Sequence, residues 1–357
     1  MRVIGIDPGT VSIDLCGLED GAVFLDRSIP TADALADPPA FVDLLRESGA
    51  ALIAGPSGYG LPLTTIADAT DEVLRLAYLA PAGEPGGIGG LRALARALRE
   101  AALPVVFTPG VIHLPTVPAH RKVNRVDMGT ADKVCATALA VHDQARRLEG
   151  ALGEVSFVLL ELGGAFSAAI AVRDGRIVDG MGGTAGPLGV HAAGALDGEV
   201  AFLAGDIPKA LLFRGGVASI TGDGEHAIDR IATPRTAADR IAREAFLESA
   251  VKAVASLRVV VPHPREILLS GRATHDEELA RELRLRLSPF GAVRRLEGFA
   301  RVAKEAAQGA ALIADGLAGG AHEPLVGVLG LREAAGTALD HIYLLSPDAA
   351  RRRLGLS

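Results

Sequence analysis

Only two of the 357 residues are cysteine, Cys16 and Cys135. Two thiols cannot build a disulfide framework or a four-cysteine zinc site, and they suit a reducing compartment. Tryptophan is absent and aromatic residues make up 4%, so there is little for single-stranded nucleic acid to stack on. Positive charge is not in excess: the formal net charge is −7, and no basic stripe marks a polyanion-binding face. Hydrophobic residues reach 49%, yet no uncharged apolar run attains the roughly 18–20 residues of a membrane span. The chain opens directly on a strand pattern, with no basic region and apolar segment of a signal peptide ahead of it. Nine histidines show no H-x-x-x-H spacing for a metal, and there is no Walker-type G-x-x-x-x-G-K-[ST] loop. These absences leave a cytoplasmic globular protein as the expectation, without nucleic-acid or membrane partners.

What is present begins at residue 3. Residues 3–15 read VIGIDPGTVSIDL, an alternating strand, a tight Asp-Pro-Gly-Thr turn and a second strand. The turn puts one acid, Asp7, beside a glycine that can take positive φ or admit a phosphate oxygen to the backbone. Thr10 and Ser12 add hydroxyl donors. A carboxylate next to open amides and hydroxyls suits a Mg-nucleotide, with the acid reaching the metal through water and the donors holding phosphoryl oxygens. An ordinary hairpin with a polar tip has the same local pattern.

The length allows two domains with separate cores. GAVFLDRSIP continues as a third strand, PPAFVDLLRESG as an amphipathic helix and ALIAGP as a buried strand. IADATDEVLRLAYLA and GGLRALARALREAAL have helical spacing on either side of the linker PAGEPGGIGG. TADKVCATALAVHDQARRLEGAL reads as a strong helix capped by Thr130, with Asp132 in its first turn. Residues 154–183, EVSFVLLELGGAFSAAIAVRDGRIVDGMGG, then repeat the layout of residues 2–29. In both copies an acid ends the first strand, glycine follows within two residues, and an Asp-Gly turn leads to the third strand. Such internal duplication is evidence about the fold. Helices are expected over 236–257, 275–288 and 299–318, with the strand REILLSG between the first two.

Three of these segments, in order, resemble the actin, sugar-kinase and Hsp70 ATPase superfamily. IGIDPGT looks like its first phosphate motif, LLELGGAFSAAI (Glu161 to Ser167) like its second, and ILLSGRATHDEEL, with Gly271 at a strand end, like its adenosine motif. The closing AKEAAQGAALIADGLAGG is also similar. More narrowly, DMGTADK, GTAGPLGVHAAGALDGE and LLSGRATHDEEL resemble a prokaryotic family described as predicted butyrate kinase. The superfamily resemblance implies an α/β fold of duplicated ribonuclease-H-like domains facing across a nucleotide cleft. The domains are expected at 1–148 and 149–320, with a helical extension over 321–357.

By the same resemblance, ATP and Mg²⁺ are the expected cofactors. Asp7 and Glu161 would organise the metal, although the superfamily usually has Asp where Glu161 stands. Gly9, Thr10, Ser12, Gly163, Gly164, Gly271 and Arg272 would contact the nucleotide. Asp132 opens a helix at the place where several sugar kinases face the substrate hydroxyl with an acid, so it is the candidate catalytic base. An acid at a helix N-terminus is also stabilising by itself. Lys133 and Arg125, with Arg121 and Lys122, give local positive density for an anionic substrate, and Asp197 and Glu199 are candidates for the substrate rim. The expected activity is ATP-dependent phosphorylation of a small carboxylate or hydroxyl compound, with a homodimer as the expected assembly. A nucleotide-gated regulatory ATPase and a phosphohydrolase of the same fold are the alternatives.

Overall fold

A computed structural model describes residues 1–9, 11–56, 58–81 and 87–356; Thr10 and residues 82–86 of the linker therefore lie outside the described residues. The first sheet comprises β1 (Arg2–Pro8), β2 (Ser12–Glu19), β3 (Ala22–Pro30), β4 (Leu52–Pro56), β5 (Thr64–Thr65) and β6 (Val105–Thr108). The second comprises β7 (Phe157–Leu162), β8 (Ser167–Arg173), β9 (Arg176–Met181), β10 (Glu266–Ser270) and β11 (Ala292–Arg295).

Their orders are β3-β2-β1-β4-β6-β5 and β11-β10-β7-β8-β9. Leaving out the two-residue β5, the second is the first read in reverse. Each is an antiparallel three-strand meander extended by two parallel strands. The likeness reaches single residues. Asp20–Gly21 and Asp174–Gly175 both take positive φ at both positions, the type I′ turn whose twist matches a hairpin. Register shifts fall at Gly17/Leu18 in one meander and Ala171/Val172 in the other. The fold is a duplicated ribonuclease-H-like α/β arrangement.

The chain divides into two compact units. Unit 1 contains Met1–Val126, Thr130–Gly153 and Glu297–Ser357; unit 2 contains Asp127–Gly129 and Glu154–Leu296. In unit 2 the core gathers around Val158, Leu160, Phe246, Leu269 and Leu283, all fully buried. In unit 1 it gathers around Ile4, Ile13, Leu15, Ile53 and Leu74.

Residues 297–320, expected in the second domain, belong to unit 1 because the helix Glu305–Leu317 lies on β1. Small residues set that contact: a Cβ on Gly5 would stand 2.1 Å from the Ala307 carbonyl oxygen and the Ala311 nitrogen. Gly309 does the same against the helix Ala131–Arg147, where a Cβ would stand 1.7 Å from the Cys135 oxygen. The same helix starts six residues later than the expected 299. The N–H groups of residues 299–303 bond to side-chain oxygens of Gln308 and Asp26, which compete with helix formation.

The end of the chain carries two short helices, Glu323–Val328 and Pro347–Arg353, where one was expected. The second is tied to unit 1 by Arg351–Glu72 at 2.6 Å and by Leu354 and Leu356 against Leu76 and Leu79. No helix of the described residues is long and apolar enough to cross a membrane.

One buried group makes this unit acid-sensitive. His113 is 3% exposed and its Nδ1 has no hydrogen-bond partner; burial, helped by the Lys122 charge, pulls its imidazole down to about 4. The unfolded chain takes up this proton near pH 6.5, whereas the folded one resists until about pH 4. Stability is therefore lost as pH falls through that window. Urea unfolding is expected to lose about 2 kcal/mol between pH 7.5 and pH 5 from this group. His113→Gln should remove that share of the slope; an unchanged slope would show that His113 is not its source.

Candidate active site

β1 runs inward with Val3, Ile4 and Ile6 buried and carries Asp7, 9% exposed, as its penultimate residue. The antiparallel register sets Asp14 of β2 directly opposite it. Like charges facing each other across a strand pair are destabilising, so a cation is needed nearby. Lys304, the residue before the helix Glu305–Leu317, supplies one. Its Nζ donates to Ser12 Oγ at 2.6 Å and lies 2.8 Å from Asp14 Oδ2, and Ser12 Oγ donates to that same oxygen at 2.8 Å. Asp14 is fully buried, and its Oδ1 has no hydrogen-bond partner.

Asp132 approaches from the N-terminus of the helix Ala131–Arg147, whose first N–H donates to the Gly58 carbonyl at 3.0 Å. Thr130, the expected cap, makes no side-chain bond to the helix backbone and donates instead to Asp132 Oδ1. Lys133 Nζ lies 2.5 Å from Asp132 Oδ2. Burial alone would raise the Asp132 carboxyl; the Lys133 charge and hydrogen bond and the Thr130 hydroxyl outweigh it, leaving the group below the ordinary range. Asp7 goes the other way. Burial, then the charge of Asp132, pushes it up to about 7 against the opposing pull of Lys304 and Lys133. Two of the three aspartates thus hold a lysine, while the Asp7 carboxylate has no side-chain partner among the described residues. The chain has five lysines against 31 arginines, and two of the five stand here, where a compact point charge fits between acids.

Gly9 does not need positive φ, one of the two reasons expected for it. A Cβ there would stand 2.8 Å from the Ser12 carbonyl oxygen and 3.6 Å from Lys304 Nζ, so close approach selects glycine. The second hairpin repeats this: a Cβ on Gly163 would stand 2.8 Å from the Phe166 oxygen, also three residues on. Glu161 is the penultimate residue of β7, half-buried and paired in register with Ser270. Gly271 has φ +87, and a Cβ there would stand 2.6 Å from the Leu162 carbonyl oxygen and 3.0 Å from the Gly163 nitrogen. Arg272 is exposed, with its Cδ 3.7 Å from where a Gly164 Cβ would stand. Unit 2 therefore gathers Glu161, Gly163, Gly164, Gly271 and Arg272 at one turn.

Lys122 is buried and donates to the Leu114 carbonyl at 2.9 Å, so it adds nothing to an anion-binding surface. Arg125 is exposed. Asp197 Oδ1 caps the helix Gly198–Ala204, accepting from Glu199 N at 2.8 Å, and both side chains are exposed. Asp14 and Lys304 escape a reading of the sequence. Asp14 had a signal, since a hairpin centred after Gly9 pairs residue 7 with 14; Lys304, some 290 residues from the turn, had none. Asp127 was also missed: its Oδ2 accepts from Thr184 N at 2.9 Å and Thr184 Oγ1 at 3.0 Å within unit 2.

A family model described as "Protein of unknown function (DUF1464)" matches residues 5–344. Curated proteins yield no match. Among solved structures, a propionate kinase from Francisella tularensis subsp. tularensis SCHU S4 superposes with a TM-score of 0.62 at 15% identity, covering 86% of this chain and 98% of that one. An acetate kinase from Porphyromonas gingivalis gives 0.59 at 13% identity, covering 88% and 98%. One from Entamoeba histolytica gives 0.56 at 11%, covering 81% and 87%. At these identities the likeness is one of fold.

Proposed function

The chain belongs to the DUF1464 family, whose description assigns no activity, and we propose that it is an ATP-dependent phosphotransferase acting on a small carboxylate or hydroxyl compound. The observation that carries this reading is the charge arrangement at the β1–β2 turn: Asp14 and Asp132 are each neutralised by a lysine, and buried Asp7 is not. The names of the structurally similar acetate and propionate kinases agree with it.

The donor set suits Mg²⁺ of the nucleotide rather than a caged structural ion. No group of three or more His, Cys, Asp or Glu among the described residues could hold a metal, and Mg²⁺ commonly uses one or two carboxylates together with waters and phosphate oxygens. Asp7 would hold it through water, with Glu161 as the second proposed acid. When bound, the ion offsets charge on the phosphates during transfer. The protein's own groups do the rest. Lys304 over Gly9 offers its ammonium to phosphate oxygens, and in unit 2 Gly163, Gly164, Gly271 and Arg272 are assigned to the nucleotide, as is Thr10. Asp132 remains ionised and accepts a hydrogen bond from an acceptor hydroxyl, orienting it, while Lys133 keeps that carboxylate charged.

A carboxylate acceptor, as the resemblance to the predicted butyrate kinase family suggests, arrives already ionised and leaves Asp132 without a base's task. Isothermal titration with Mg-ATP is expected to show binding tighter than about 1 mM. A panel of hydroxylated and carboxylated metabolites, followed by ADP release, then identifies the acceptor. No heat at several times that nucleotide concentration would end the reading.

A further inference from the structure

Five consecutive backbone N–H groups ahead of Lys304 are taken by two side chains. Gln308 Oε1 accepts from Phe299 at 2.7 Å and from Ala300 at 3.0 Å. The Asp26 carboxylate, on β3, accepts from Arg301 at 2.8 Å, Val302 at 3.0 Å and Ala303 at 2.7 Å. Gln308 Nε2 closes the loop by donating to the Ala303 carbonyl at 2.7 Å. Successive N–H groups converging on one carboxylate form an anion-binding nest, a strong and directional contact. What this loop delivers is Lys304, the next residue. Lys304 has extended backbone angles and no side-chain capping bond, and its side chain is 47% exposed. A long, half-exposed lysine has much rotamer freedom to lose. A fixed backbone anchor reduces the cost of holding its Nζ at Ser12 and Asp14.

We propose that Asp26 is a positioning residue: by pinning residues 301–303 it places the Lys304 ammonium over Gly9, at the β1–β2 turn. Asp26 does not touch the turn's acids; it acts through Lys304. Its consequence for nucleotide binding rests on the phosphotransferase reading, whereas the positioning itself does not.

Two measurements separate these. The chain has five lysines, so biosynthetic labelling with ¹³Cε-lysine yields few resonances, and the Lys304→Arg spectrum identifies that of Lys304. In ligand-free Asp26→Ala the Lys304 resonance is expected to move toward that of Lys252, 73% exposed, while those of Lys122 and Lys133 stay. A Lys304 resonance that stays put in folded Asp26→Ala overturns the proposal, whatever the nucleotide does. Should the alanine variant fail to fold, Asp26→Asn turns one acceptor oxygen into a donor against the same N–H groups and is judged by the same shift.

Mg-ATP titration forms the second arm. Asp26→Ala and Lys304→Ala are each expected to weaken Kd about tenfold, the scale of one charge-assisted hydrogen bond. The double variant should be no weaker than Lys304→Ala alone. Additive losses would show that Asp26 acts by a route other than Lys304 and would overturn the proposal. A wild type that binds no nucleotide but shows the Lys304 shift rejects the phosphotransferase reading and leaves the positioning standing.

Discussion

Asp7→Asn is expected to be more stable than the wild type in the absence of ligand and unable to bind Mg-nucleotide. Asp7 is 9% exposed, and no side chain among the described residues pairs with it. Burial and the neighbouring Asp132 charge push it up to about 7. The unfolded chain releases this proton near pH 4, so the folded state is penalised increasingly as pH rises from there to 7 and in full above it. An amide of the same shape carries no charge to desolvate. Urea unfolding at pH 8 should therefore show a gain on the order of 1–3 kcal/mol, shrinking toward pH 5, where Asp7 keeps its proton. Titration with Mg-ATP should show no measurable binding. The two effects have one cause, because a carboxylate that is unpaired without ligand is what a metal–nucleotide needs. If the asparagine variant proves less stable at pH 8, Asp7 is a structural turn residue and its metal role loses its main support.

Asp132→Asn should separate acceptor classes. If the acceptor is an alcohol, losing the carboxylate that orients its hydroxyl should lower kcat by about 10²–10⁴, the usual range for a positioned acid or base. Nucleotide Kd should change little. If the acceptor is a carboxylate, turnover should stay within a few-fold of wild type. A variant with kcat intact on an alcohol acceptor would remove Asp132 from the chemistry. Steady-state kinetics on the acceptor found by the panel decides the matter.

Much of the fold was legible because both ribonuclease-H-like copies are written in short-range chemistry. Alternating strands, Asp-Gly turns and glycines two residues past an acid act over ten residues or fewer, and the duplicated sheets follow from them. Asp7, Ser12, Asp132 and Lys133 stood out as candidates for the same reason: each sits at a turn or helix start with a local signature. Long-range pairing was not legible. Lys304 reaches Asp14 across some 290 residues, and Asp26 reaches residues 301–303 across 275. Helical spacing over 299–318 concealed that the first residues there bond to side chains instead. Lys122 misled in the opposite sense, since cationic residues next to one another in sequence read as a patch although one of them is buried on a carbonyl.

Unit 2 is nearly one continuous stretch, Glu154–Leu296, whereas unit 1 needs three separated segments, the last beginning at Glu297. During synthesis a contiguous unit can form as soon as it leaves the ribosome. Unit 1 must wait for its final segment, because the helix that covers Gly5 and the lysine that neutralises Asp14 both come after residue 300. A nascent chain halted before that point would carry Asp7 and Asp14 face to face without their counter-charge. The proposed site is thus completed only once the chain extends past residue 304, so any activity it has needs that segment.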